Sequence, residues 1–115
     1  MIKKIFRLSE GQIKKVLKYG KPFFSFGIVS NSIINNLPYN RFAIVIGAKT
    51  VNNNISRNFF RRKFYDLVSR KINFGEKNMQ KDFVFIIKKQ IKLDKKDFES
   101  ITSFEKDLNF LLKKI

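Results

Sequence analysis

The sequence predicts an α+β fold, a single domain with the element order α-β-β(-β)-α-β-α. Three observations lead there. Segments with helical apolar spacing lie near both ends and in the middle of the chain. Between them stand short runs rich in aromatic and β-branched residues, the composition of strands. The 115 residues, 43% apolar, suffice for one core with helices packed on one sheet.

Ser9 to Tyr19 forms the first helix. Ser9 can cap it, with Gln12 three residues on as the capping-box partner. Ile13, Val16 and Leu17 follow i, i+3, i+4 spacing, with Lys14, Lys15 and Lys18 off the stripe. Gly20 stops the helix and Pro22 lies just beyond. Phe23 to Ser30 is expected as a strand, with Gly27 marking a bulge or a close approach. Asn31 to Asn40 holds a hairpin-like turn around Asn35, Asn36 and Pro38, and Ile33-Ile34 can extend the sheet. The near-continuous apolar run from Arg41 to Gly47 predicts a central strand buried on both faces.

Ala48 to Asn54 is a polar loop. A helix from about Ile55 to Ile72 follows, with Phe60, Phe64, Leu67, Val68 and the stem of Lys71 on one side. Phe59 projects with Arg62, Lys63, Asp66 and Arg70 on another face. Gly75 ends this region. Phe83 to Ile87 is a further strand. Asp94 is expected to cap the last helix, with Asp97 in its first turn, where acids favour the helix dipole. Phe98, Ile101, Phe104, Leu108, Leu111 and Ile115 form its buried stripe. No repeat, low-complexity linker or domain boundary interrupts residues 1–115.

Charge narrows the function. Lys and Arg total 25 against nine Asp and Glu, a formal charge of +16. Residues 1–93 hold 20 cations and 4 acids, whereas residues 94–115 hold five of each. Such an excess costs self-repulsion and points to a polyanionic partner, most often nucleic acid. The absence of Cys and His excludes thiol nucleophiles, imidazole acid–base catalysis and Cys/His zinc sites. Five of the nine acids belong to the last helix region, where capping and solvation explain them; Asp66 sits among cations as an ion-pair partner. No run approaches a membrane span and the N-terminus lacks a signal-peptide pattern, so a cytoplasmic location is expected, without a membrane or small-molecule partner.

The densest signal is Arg57 to Val68, in which Arg57, Arg61, Arg62 and Lys63 fall within seven residues. Arg offers a planar fork that suits phosphate oxygens. The preceding Asn52-Asn53-Asn54 adds amides, and helix N-terminal N–H groups near Ser56 and Arg57 add anion affinity. Phe59, off the apolar stripe and between cations, either packs beside a neighbouring strand or loop, the bland alternative, or stacks on an unpaired base. Phe23, Phe24 and Phe26 are chiefly core by composition, but a strand has two faces. An uncovered face would let them line a groove with Lys21.

At these residues the chain resembles the bacterial ribonuclease P protein component. The resemblance spans about residues 7–112. It rests on Arg7-Leu8, Gly20, the Phe42–Gly47 strand with Ala48-Lys49, the Lys49 to Arg57 spacing, and Arg57-Asn58-Phe59-Phe60-Arg61-Arg62. Phe59 stands where the family's Arg-Asn-Arg signature has its second Arg, Ala48-Lys49 where it has paired Lys, and Tyr65 where it has a further Arg. Ile13 and Leu17 occupy positions where the family carries aromatics.

The resemblance implies an α-β-β-β-α-β-α sandwich, ribosomal protein S5 domain 2-like. Its crossover from the Arg41–Gly47 strand through the basic helix to the Phe83–Ile87 strand would be left-handed, against the usual rule. It implies two partners, the catalytic RNA subunit and the 5′ leader of precursor tRNA, with Mg²⁺ held mainly by RNA and no catalytic residue on the protein. Lys49, Asn52, Asn53, Arg57, Asn58, Arg61, Arg62 and Lys63 would contact RNA; Ile13, Leu17, Phe24, Phe26 and Phe59 would line a leader groove. The alternative is a non-enzymatic RNA-binding protein of ribosomal type, with the same basic helix but no effect on precursor cleavage.

Overall fold

The computed structural model describes residues 4–47, 54–71, 80–88 and 93–113. A single 3-10 turn, Lys4–Phe6, precedes α1 (Glu10–Tyr19), β1 (Lys21–Phe24), β2 (Ile28–Ile34), β3 (Arg41–Val45), α2 (Asn54–Lys71), β4 (Lys81–Ile87) and α3 (Phe98–Lys113). The strands form one sheet in the order β1-β2-β4-β3. β1 pairs with β2, and β2 with β4, antiparallel; β3 runs parallel to β4, joined to it through α2.

Alternation along β4 sorts the core onto two faces. Phe83, Phe85 and Ile87, with Phe42 and Ile44 of β3, meet Phe60, Phe64, Leu67 and Val68 of α2 and Phe104, Leu108, Leu111 and Leu112 of α3. Aromatic rings interlock here: Phe64 lies 5.2 Å from Phe85, and Phe60 5.2 Å from Phe104. On the opposite face Val84 and Ala43 meet Leu8 and Val16, with Ile13, Ile33, Val45 and Ile86 around them. α1 therefore stands alone on one side of the sheet, and α2 and α3 share the other.

The capping box of α1 forms as the sequence predicts. The Ser9 N–H donates to Gln12 Oε1 at 2.7 Å, and the Gln12 N–H to Ser9 Oγ at 3.4 Å. Gly20 ends the helix for a reason of space, not of handedness. Its φ is −76°, open to any residue, but a Cβ there would lie 2.5 Å from the Val16 carbonyl oxygen and 3.0 Å from that of Ser32.

Four expectations change. Arg41–Val45 is not central; β3 sits at the edge of the described sheet and β4 inside it. Its apolar run reflects cover on both faces, and the Leu8 N–H reaches the Phe42 carbonyl at 3.0 Å along its outer side. Phe23–Ser30 is not one strand. The chain turns at Ser25–Gly27, where Ser25 Oγ donates to the Ile28 carbonyl at 3.0 Å and accepts from the Ile28 N–H at 3.3 Å, so β1 and β2 form a hairpin. The cap of α3 is Asp97: its carboxylate accepts from the Glu99 N–H at 3.1 Å and from Ser100 Oγ at 3.0 Å, whereas Asp94 closes the preceding turn through the Lys96 N–H at 2.9 Å. Phe98 is 79% exposed, because at 3.6 residues per turn it lies about 120° round the helix from Phe104. Ile72, Gly75 and Ile115 fall outside the described residues, as does the side chain of Lys71.

Two polar clusters tie the layers. Asp82, buried at the foot of β4, accepts from Arg41 Nε at 2.8 Å and Nη2 at 2.7 Å, and from Asn35 Nδ2 at 2.8 Å. Asn35 also bonds the Tyr39 carbonyl and accepts from the Leu37 N–H, which orders the turn that Asn36 enters at a φ of 59°. At the other end of the sheet, Asp107 of α3 accepts from the Gly27 N–H at 3.1 Å. Burial raises the Asp107 pKa above its ordinary value; the bonds from Gly27 and Phe26 and the charges of Lys88 and Lys106 oppose that rise.

Two outcomes follow from this packing. Gly20→Ala forces Val16 and Ser32 apart and is expected to cost about 1–3 kcal/mol, read as a lowered Tm by circular dichroism. An unchanged Tm would show that the contact yields freely. Asp107 holds its proton more tightly folded than unfolded. Its contribution to stability is therefore complete below pH 3.8 and is lost as pH rises through the raised folded value. Asp107→Asn is expected to remove that slope, seen as a difference between the two proteins in urea unfolding across the acid range.

Candidate nucleic-acid interface

α2 follows β3 and packs its Phe60, Phe64 and Val68 stripe under the sheet, which fixes the rotation of the helix. That rotation sends its cations to different sides. Asn54, Arg57, Asn58 and Arg61, three or four residues apart, fall on one flank. Arg57 donates to Asn54 Oδ1, and Arg61 Nη1 donates to Asn58 Oδ1 at 2.7 Å. Arg62 is exposed, next to this flank. Lys63 turns the other way, 3.7 Å from Glu105 of α3 and 5.8 Å above the Phe59 ring. Phe59 is half-buried, packed against the main core and edge-to-face with Phe60 at 5.1 Å. The sequence run Arg57–Lys63 is thus split into an Arg–Asn flank and an α3-facing pair. Lys49, Asn52 and Asn53 lie outside the described residues.

Arg7 brings a further cation from the N-terminal segment, beside the outer side of β3. Tyr65 is buried; burial raises the Tyr65 pKa, and the charges of Arg7 and Arg61 counter that rise. Composition gave no reason to add Arg7 to the site, and only the Arg7-Leu8 pair marked it.

The α1 face carries the second part. The register aligns Phe24, Val29, Ile86 and Val45 in one row across all four strands. Val29, Ile86 and Val45 are half-buried and Phe24 is 60% exposed, so α1 covers this row incompletely. Ile13 packs at the edge of the α1 cluster and Leu17 is exposed beside it. Phe26, in the hairpin turn, is 78% exposed. Lys88 stands above the Phe24 ring at 5.8 Å and donates to the Ser25 carbonyl at 2.8 Å. Val29, Val45, Ile86 and Lys88 escaped the sequence reading, because an all-apolar strand such as Phe83–Ile87 does not reveal which face lacks cover.

The arrangement offers phosphate-binding guanidinium groups at one end of α2 and a half-open apolar row with aromatic ends. Among the described residues no group of His, Cys, Asp or Glu gathers that could hold a metal ion. Nor does any described helix have the length and apolarity to cross a membrane.

Solved structures share this fold. A Staphylococcus aureus RNase P protein mutant with defective mRNA degradation activity aligns with a TM-score of 0.74 at 19% identity, over 96% of this chain and 87% of the other. The Thermotoga maritima RNase P protein aligns with a TM-score of 0.68 at 23% identity, over 95% of this chain and 96% of the other. The same T. maritima protein in complex with 1-(4-fluorophenyl)-2-thiourea gives 0.60 at 25% identity, over 89% and 92%. Comparison with curated protein sequences gives no match. The sequence profile described as Ribonuclease P matches residues 2–115, and with that span the chain belongs to the Ribonuclease P family.

Proposed function

We propose that this chain is the protein subunit of a ribonuclease P. It binds the catalytic RNA through α2 and the 5′ leader of precursor tRNA along the sheet, while the RNA carries out the hydrolysis. The observation that carries the reading is the Arg–Asn flank of α2. Each Asn oxygen accepts from a guanidinium and restrains it, so less freedom is lost when phosphate binds. The N-terminal end of α2 adds its own anion affinity, and Lys49, Asn52 and Asn53 would extend the same surface along the chain. Arg62 reaches a neighbouring phosphate; Lys63, drawn to Glu105, contributes at the margin.

The row from Phe24 to Val45 suits an unpaired strand. Bases stack on aromatic faces and lie over apolar side chains without a sequence requirement. Phe24 and Phe26 take this role, with Ile13 and Leu17 as an apolar wall; Phe59, packed against Phe60, is the least available of the residues assigned to the leader. Mg²⁺ in this reading is held mainly by RNA. The setting is cytoplasmic tRNA processing.

Reconstitution tests it. Ribonuclease P RNA and labelled precursor tRNA are incubated at low Mg²⁺ with and without the protein. Restored cleavage at the mature 5′ end supports the subunit role; tight RNA binding without stimulation favours a structural RNA-binding protein of ribosomal type; cleavage by the protein alone overturns the division of labour. Arg57→Ala and Arg61→Ala are each expected to weaken RNA affinity and to shallow the salt dependence by about one phosphate contact. Unchanged salt titrations for both would remove the α2 assignment.

A further inference from the structure

The Ser25–Gly27 turn is tied down from two elements far away in sequence. Asp107 of α3 accepts from the Gly27 N–H at 3.1 Å. Beyond the end of β4, the Lys88 N–H donates to the Gly27 carbonyl at 2.9 Å and Lys88 Nζ to the Ser25 carbonyl at 2.8 Å. The Lys88 N–H bond carries the β2–β4 ladder on by one pair, and the Asp107 carboxylate and the Lys88 ammonium add two side-chain bonds to a turn that the β1–β2 ladder already closes. What the turn carries is Phe24 and Phe26, two large apolar side chains left mostly in water. Exposed rings on a loose turn would lose much of their stacking energy to ordering; rings on a fixed turn keep it. Ile13 and Leu17 offer no aromatic face on α1, so the hairpin supplies the stacking surface.

We infer that Asp107 and Lys88 are positioning residues for unpaired RNA: by clamping Gly27 and Ser25 they set the angle at which Phe24 and Phe26 meet a base. This rests on the ribonuclease P reading, in which a single strand crosses that end of the sheet. Asp107 acts from the side of the sheet opposite α1 and touches no RNA.

The test uses the reconstituted holoenzyme and compares affinity for precursor tRNA with that for mature tRNA. Asp107→Ala deletes the acceptor for Gly27 and is expected to reduce the leader-dependent gain about three- to tenfold, the scale of one hydrogen bond, with affinity for mature tRNA unchanged. Asp107→Asn keeps an oxygen acceptor and is expected to restore the gain. A leader carrying single abasic nucleotides gives the readout that altered folding alone would not move. In the wild type one position costs affinity; in Asp107→Ala the same abasic change costs no more. If Asp107→Ala does not fold by circular dichroism, Asp107→Ser, whose shorter side chain withdraws the acceptor from Gly27, is read the same way.

An unchanged leader gain in the folded variant, or an abasic penalty that persists in full, overturns the positioning role. Absence of any leader-dependent gain in the wild-type holoenzyme overturns instead the reading on which it rests.

Discussion

β4 must be buried on both faces, and most of the architecture answers that demand. Its five residues from Phe83 to Ile87 are all apolar, and all but the half-buried Ile86 are buried. One face receives two helices, of 18 and 16 residues; the other receives only α1, of 10 residues. A helix of 10 residues is about 15 Å long and about 10 Å wide, less than the area of a face whose longest strands run about 23 Å. The uncovered remainder is the Phe24–Val29–Ile86–Val45 row. A groove thus arises from arithmetic of cover: the side with two helices becomes the core and the side with one becomes a surface that can take a flat, unpaired ligand.

The same demand orients α2. Phe60, Phe64 and Val68 have to point at β4, and this leaves no choice in where Arg57 and Arg61 point. Binding geometry is therefore inherited from packing. A substitution such as Phe64→Ala would cost about 3–5 kcal/mol of stability and would also release the rotation that aims the guanidinium groups. Loss of RNA affinity in such a variant would say nothing about direct contact, which is why Arg57 and Arg61, outside the core stripe, are the informative positions.

Much of this was legible in the sequence, and the failures have physical causes. The capping box at Ser9 and Gln12, the α2 stripe and the element order depend on local spacing, which one sequence records. The neighbour order of strands does not. Arg41–Val45 and Lys81–Ile87 are both apolar, and only the parallel pairing of β3 on β4 makes one the edge and the other the interior. Phe23–Ser30 reads as continuous because aromatic and β-branched residues dominate it and a lone Gly also fits a bulge; the Asp107 and Lys88 bonds at the turn come from 80 and 63 residues away. In the site, the cation run was visible but its division was not. Glu105 draws Lys63 across to α3, an event no pattern within α2 could announce.

The placement of the few acids completes the electrostatic design. Among the described ion pairs, Asp82 meets Arg41, Glu105 meets Lys63 and Glu10 meets Lys14. Asp107 is engaged with Gly27 near Lys88. Asp82, Glu105 and Asp107 serve packing or a turn, and Glu10 pairs with Lys14 on the exposed side of α1. On the Arg–Asn flank of α2, Asn54 and Asn58 hold Arg57 and Arg61 through amide oxygens. An amide oxygen accepts from a guanidinium as a carboxylate would, but it adds no negative charge of its own. Replacing Asn58 by Asp would preserve the geometry around Arg61 while neutralising it locally, so geometry and charge can be separated at a single atom.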